Sequence, residues 1–265
     1  MEFRTVVDIP KSAFQIEPCE QMLLVGSCFA DHIGRRFVED KFQAVVNPFG
    51  VMYNPASILH TIQRVETAPR VVFLTLGTNH VYRLKETGEI VDNCEKRPHN
   101  LFQEEELTVM ECADYLRQAV ELLKERNPEV QAVLTVSPIR YRKYGFHGSQ
   151  LSKATLLLAA HQLMGVEGVS YFPAYEIVND ELRDYRFYAA DMLHPSEQAV
   201  DYIWERLSET YFSEATKRFL MEWHPIKQAL EHKPFHPYSA DYKAFMDKTM
   251  LKVTELQKKY PTFVL

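Results

Sequence analysis

Two short constellations in this 265-residue chain carry residue types that do chemistry. The first is Gly26-Ser27-Cys28-Phe29-Ala30, set between the apolar run Met22 to Val25 and a stretch of helical spacing. A nucleophile on such a turn sits at a helix N-terminus, where free N–H groups and the dipole favour an anion. That position lowers a thiol's pKa and supplies an oxyanion donor. The plain alternative is a glycine turn that carries a small buried Ser and Cys. The second constellation is Asp191-Met192-Leu193-His194, followed by Pro195. A carboxylate three residues before an imidazole can orient the ring and stabilise its protonated form. The plain alternative is a surface Asp at a helix start beside an unrelated His.

Two loops can complete such a site. In Asn47-Pro48-Phe49-Gly50 and Gly77-Thr78-Asn79, the Gly50 N–H and the Asn79 amide are candidate oxyanion donors. Turn chemistry alone also accounts for Asn, Pro and Gly there. His147 lies between Gly145 and Gly148, in a loop expected after the fourth strand. With Asn47, His80, Gln150 and Lys153 it is a candidate substrate contact; otherwise the loop is a helix entry capped by Ser152. Cys19, Cys28, Cys94 and Cys112 show no C-x-x-C spacing, and His80, His147 and His194 show no ligand spacing. No metal and no cofactor are expected.

The elements that must position these residues alternate. Met22–Val25, Phe42–Val46, Val71–Leu76, Val130–Val136 and Val169–Phe172 read as strands. Phe29–Lys41, Ala56–Val65 (with Asn54-Pro55 as its start), Thr108–Arg126 and Lys153–Met164 read as helices. Val81 to Val91 reads as a hairpin turning at Thr87-Gly88. Buried strands alternating with helices predict a parallel sheet covered on both faces, a three-layer α/β domain. Functional groups then collect after the carboxyl ends of the strands, where the two constellations and both loops fall. From Glu197 onward the pattern is helical. We place a domain over 1–205 and a helical extension over 206–265, which packs on the same core or mediates a homodimer.

Composition excludes several classes. Hydrophobic residues at 46% and charged residues at 25% rule out disorder and a disulfide scaffold. A net charge of −6 disfavours nucleic acid as the main partner. No apolar run is long enough to span a bilayer, and Met1 to Pro18 has no signal-peptide core, so a cytoplasmic protein is expected. Only nine glycines are present. Five of them, Gly26, Gly50, Gly77, Gly145 and Gly148, fall on the candidate site loops.

The order of these signals resembles the four blocks of the SGNH/GDSL hydrolase superfamily. Gly26-Ser27-Cys28-Phe29-Ala30 resembles the signature of the GSCFA domain family, a branch of that superfamily. So do Asn47 to Pro55, Gly145 to Lys153, and Asp184 to Tyr188 with Asp191 to Pro195. The resemblance covers about Gln21 to Leu207. It implies a flavodoxin-like α/β/α sandwich and ester hydrolysis or acyl transfer. The superfamily reads Gly-Asp-Ser at the nucleophile turn, so aligning glycines puts Cys28 at the nucleophile position. Counting from the strand end leaves Ser27. The third block reads Gly-x-Asn-Asp in the superfamily and Gly77-Thr78-Asn79-His80 here.

The expectation is therefore an SGNH-like esterase or acyltransferase. Cys28 (or Ser27) attacks, His194 moves the proton and Asp191 holds His194. Gly50 and Asn79 stabilise the oxyanion. The substrate is an acetylated carbohydrate or a small acyl ester. The rival expectation is a non-catalytic binding or assembly protein that keeps the fold.

Overall fold

The computed structural model describes residues 4–66 and 68–265; the first three residues of the polar N-terminal stretch, and Thr67, lie outside them. The chain runs β1 (Gln21–Gly26), α1 (Cys28–Glu39), β2 (Gln43–Val46), α2 (Pro55–Arg64), β3 (Val71–Leu76), β4 (His80–Leu84), β5 (Ile90–Val91), β6 (Phe102–Glu106) and α3 (Val109–Arg126). It continues through β7 (Gln131–Val136), α4 (Gly145–Gln162), β8 (Val169–Tyr171), α5 (Ala174–Glu176), α6 (Glu197–Tyr211), α7 (Glu214–Glu231) and α8 (Ala240–Lys259). Among the described residues no helix is long and apolar enough to cross a membrane.

Five strands form one parallel sheet in the order β2-β1-β3-β7-β8. Strand β3 is buried along its whole length; β1 and β7 are buried beyond their first residue. That is why they read as unbroken apolar runs. Alternate side chains serve two cores. Met22, Leu24, Val71, Phe73 and Val133 face α1, α6 and the tail. Leu23, Val25, Val72, Leu74 and Leu134 face α2, α3 and α4. The strand order reverses direction between β1 and β3, which opens a crevice at their carboxyl ends. Gly26 closes β1 at φ +142°, where a Cβ would collide with the Thr75 carbonyl oxygen. Gly26→Ala is expected to cost at least about 3 kcal/mol in chemical denaturation; a loss below about 1 kcal/mol contradicts this.

The tail packs on the α1 face. Phe219, Trp223, Val253, Leu256 and Phe263 share the core of Phe37, Phe42 and Phe212. Trp223 Nε1 donates to the Glu39 carbonyl at 3.1 Å, and His224 Nε2 meets Asp40 at 2.9 Å.

Three features differ from the sequence reading. The hairpin of β4 and β5 is part of a three-stranded antiparallel sheet with β6. Strand β6 is Phe-Gln-Glu-Glu-Glu at a sheet edge, with only Phe102 buried, so no apolar alternation marks it. Helix α4 begins at Gly145, not Lys153. Its early buried face is polar (Ser149, Ser152 and Lys153), which hides it from apolar periodicity. Ser152 therefore caps nothing: inside α4, its Oγ accepts from the Asn79 N–H and bonds Thr78 Oγ1, both at 3.0 Å.

Candidate active site

The crevice gathers the two constellations. Ser27 is the N-cap of α1 and fully buried. Its Oγ accepts from the Phe29 N–H at 3.3 Å and shares a hydrogen bond with Thr75 Oγ1 at 3.2 Å. Cys28, the first residue of α1, is half-buried, and its Sγ lies 3.6 Å from His194 Nε2. His194 Nδ1 lies 2.6 Å from Asp191 Oδ2. A carboxylate only accepts, so Nδ1 donates to it, and in the neutral ring Nε2 then presents a lone pair to the thiol.

The pairing of Asp191 and His194 is local. Asp191 Oδ1 accepts the N–H groups of Leu193 and His194 at 2.9 and 3.0 Å. These bonds, with His194, hold the Asp191 carboxyl down to about 2. The tight turn drives Met192 to φ +58°, a conformation that side chains other than glycine seldom adopt. Arg140 clamps the turn from outside: its N–H donates to the Leu193 carbonyl at 3.1 Å and its guanidinium to the Met192 carbonyl at 3.1 Å. The Ala189 N–H donates to the His194 carbonyl at 2.7 Å.

The thiol's electrostatics reverse the sequence expectation. Burial pushes the Cys28 pKa up, and its own backbone N–H offsets only part of this. Cys19 and Cys112, both buried, are pushed up to about 12. The helix N-terminus does not outweigh desolvation here.

The remaining candidates are placed as follows. The Gly50 N–H already donates to the Asn47 carbonyl at 2.8 Å. The Asn79 amide Nδ2 donates to the Leu107 carbonyl at 2.8 Å, so it is turned toward the β6–α3 junction. Asn47 accepts from the Gly26 N–H at 2.8 Å and donates to Asp31 at 2.7 Å, which ties the end of β1 to α1. His80 is stacked on Tyr144 at 3.5 Å, and burial lowers its pKa. His147 is exposed on the first turn of α4. Gln150 accepts from the Tyr175 hydroxyl at 2.5 Å and borders a cavity of about 340 Å³ with Arg140, Tyr185 and Tyr188.

Lys153 is buried and makes no open substrate contact. Its Nζ donates to the carbonyls of Gly77 and Ser137, both at 2.7 Å, and so links the loops after β3 and β7. Burial brings the amine down to about 7. The unfolded chain holds the proton to a pKa of about 10.4. Between those values the unfolded state binds more protons, so this group's contribution to stability rises with pH from about 7 to about 10. The wild-type advantage over Lys153→Met in urea midpoint should therefore grow across that range; a gap that does not change with pH contradicts it.

Sequence reasoning missed the aromatic residues beside the crevice. Tyr53, Tyr82, Tyr141 and Tyr144, with His80, line a cleft of about 340 Å³. With 14 tyrosines in the chain, nothing in the sequence singles these out. His32, to which the sequence assigns no role, has its ring 6.5 Å from that of His194.

The model of the GSCFA family matches residues 21–70 and 63–207, more than half of the chain. The chain belongs to the GSCFA family. A second model, the GSCFA domain protein C-terminal domain, matches residues 223–265 of this GSCFA chain. No curated protein matches it. Among solved structures, the GSCFA chain is similar to a protein from Lactobacillus plantarum, at 11% identity and TM-score 0.51, covering 75% of this chain and 100% of that one. It is also similar to a member of the lipolytic G-D-S-L family from Veillonella parvula, at 13% identity and TM-score 0.48, covering 72% and 97%. A carbohydrate esterase family 3 protein from Talaromyces cellulolyticus matches at 11% identity and TM-score 0.45, covering 72% and 95%. At these identities the likeness concerns the fold alone, an α/β fold with a parallel sheet.

Proposed function

We propose that this GSCFA protein is an acyl-ester hydrolase or acyltransferase that works through Cys28, His194 and Asp191. The observation that carries the reading is the relay itself: Sγ to Nε2 at 3.6 Å and Nδ1 to Oδ2 at 2.6 Å. Ser27 stands outside that relay, bonded to Thr75.

The raised thiol pKa defines the first step. His194 takes the proton from Cys28 as Sγ bonds to the ester carbonyl carbon, rather than meeting a ready thiolate. The oxyanion forms beside the Cys28 N–H at the start of α1. It collapses, the C–O bond breaks, and the alcohol leaves with the proton from His194. Water or an acceptor alcohol then attacks the thioester, gives its proton to His194, and releases the acyl group as acid or new ester. Cys28 recovers its proton from His194. The substrate is a small acyl ester or an acetylated carbohydrate, and the tyrosine-lined cleft supports a ligand with both polar edges and flat faces.

Steady-state turnover of acetyl and short-chain esters, with and without an alcohol acceptor, tests this reading. The expected result is release of acid, or of a new ester when the acceptor is present. One observation favours the rival reading of a binding protein: the Gly50 and Asn79 donors are already bonded. That reading expects no turnover of any ester and no acyl group on Cys28.

A further inference from the structure

Acyl transfer at Cys28 needs oxyanion donors beyond its own N–H, and the two that the sequence offered are engaged elsewhere. A different group in the crevice has the opposite property. The Tyr141 hydroxyl is shielded from solvent and has no hydrogen-bond partner among the described residues. Leaving such a donor unpaired is costly to a fold.

Its place is fixed by Gly77. A Cβ on Gly77 would lie 2.5 Å from the Tyr141 hydroxyl, 2.8 Å from the Tyr53 carbonyl and 3.3 Å from Ser27 Cβ. The hydroxyl thus lies over the loop after β3, at the glycine that Ser27 also approaches. Glycine at 77 leaves the room for it. The ring is held on several sides. Its backbone N–H donates to Ser149 Oγ at 3.2 Å. Tyr53 packs edge-on at 6.0 Å, and Lys153 Nζ lies 5.0 Å from the ring centre. Lys153 also ties the Gly77 and Ser137 carbonyls, which frame the same loops. Burial keeps the phenol protonated.

We propose that the Tyr141 hydroxyl donates to the oxyanion of the tetrahedral intermediate at Cys28, in the role that the Asn79 amide leaves open. This rests on the acyl-transfer reading above. No covalent bond to Tyr141 forms or breaks. The phenol keeps its proton and shares it with the ester or thioester oxygen as charge develops there. Tyr53, 42% exposed, lines the same cleft as Tyr141, between that hydroxyl and solvent-facing space.

Tyr141→Phe removes the O–H and keeps the ring. Three readouts are compared with wild type: acylation of Cys28 by a short-chain ester, alkylation of Cys28 by iodoacetamide, and the thermal midpoint. Alkylation forms no oxyanion, so it reports on the thiol alone. Acylation should fall about 10²- to 10³-fold. Alkylation should stay within about twofold and the thermal midpoint should not fall. A Tyr141→Phe enzyme acylated at the wild-type rate overturns the proposal while the acyl-transfer reading stands. An equal loss in both reactions also overturns it, because Tyr141 then acts on the thiol. Absence of acylation in the wild type itself overturns the underlying reading and this proposal with it.

Discussion

Cys28→Ala is expected to lower acyl-ester turnover by at least about 10⁴-fold, whereas Ser27→Ala stays within about tenfold of wild type. The two side chains are neighbours in sequence and opposites in environment. Cys28 Sγ is within reach of His194 Nε2, and Ser27 Oγ is bonded to Thr75 and to the Phe29 N–H. A serine that caps a helix and has no base beside it cannot give up its proton at the moment of attack. Ser27→Ala is a stability variant instead: loss of an N-cap costs about 1 kcal/mol, read in urea denaturation. Equal collapse of activity in both variants, with both folded, would falsify the assignment of roles. Cys28→Ser is a sharper companion. It keeps a hydroxyl at the same site and should recover only a small part of the rate, because a hydroxyl there is harder to deprotonate than the thiol.

His194→Ala should cost about 10⁴-fold or more, and Asp191→Asn about 10²- to 10⁴-fold. The reason is the state of the thiol. Burial pushes Cys28 up, so without a base it stays protonated at neutral pH. The His194→Ala rate should therefore climb with pH into the alkaline range as the thiol ionises unaided. Asp191→Asn loses a different thing. The carboxylate fixes which ring nitrogen carries the proton, and an amide does so weakly. Asp191 is ionised down to about pH 2. Its folded pKa lies below the unfolded value of about 3.9. Its contribution to stability is thus present above that value and lost as pH falls toward about 2. A His194→Ala enzyme that keeps most of its activity at neutral pH contradicts the relay.

What could be read from the sequence was local. Strands β1, β3 and β7 declare themselves because burial on both faces leaves nothing polar in them. The Asp191–His194 pair is legible because the turn that forms it closes within three residues. What could not be read depends on distant partners. The Asn79 amide is claimed by the Leu107 carbonyl, across the inserted β4–β6 segment. The Gly50 N–H is claimed by its own turn. The Cys28 pKa is decided by how much protein covers the thiol, which helix position alone does not specify. The start of α4 was hidden because its buried face bonds Thr78, Gly77 and Ser137 instead of packing on apolar side chains. The same polar face brings Lys153 to the crevice.

In the proposed reaction Cys28 forms the acyl-enzyme. This is tested most directly by mixing the protein with an activated acetyl ester, quenching in acid within one turnover, and mapping the modified peptide by mass spectrometry. One acetyl group is expected on Cys28, removed by neutral hydroxylamine as a thioester is. An acetyl group on Ser27, or none on either residue, contradicts it.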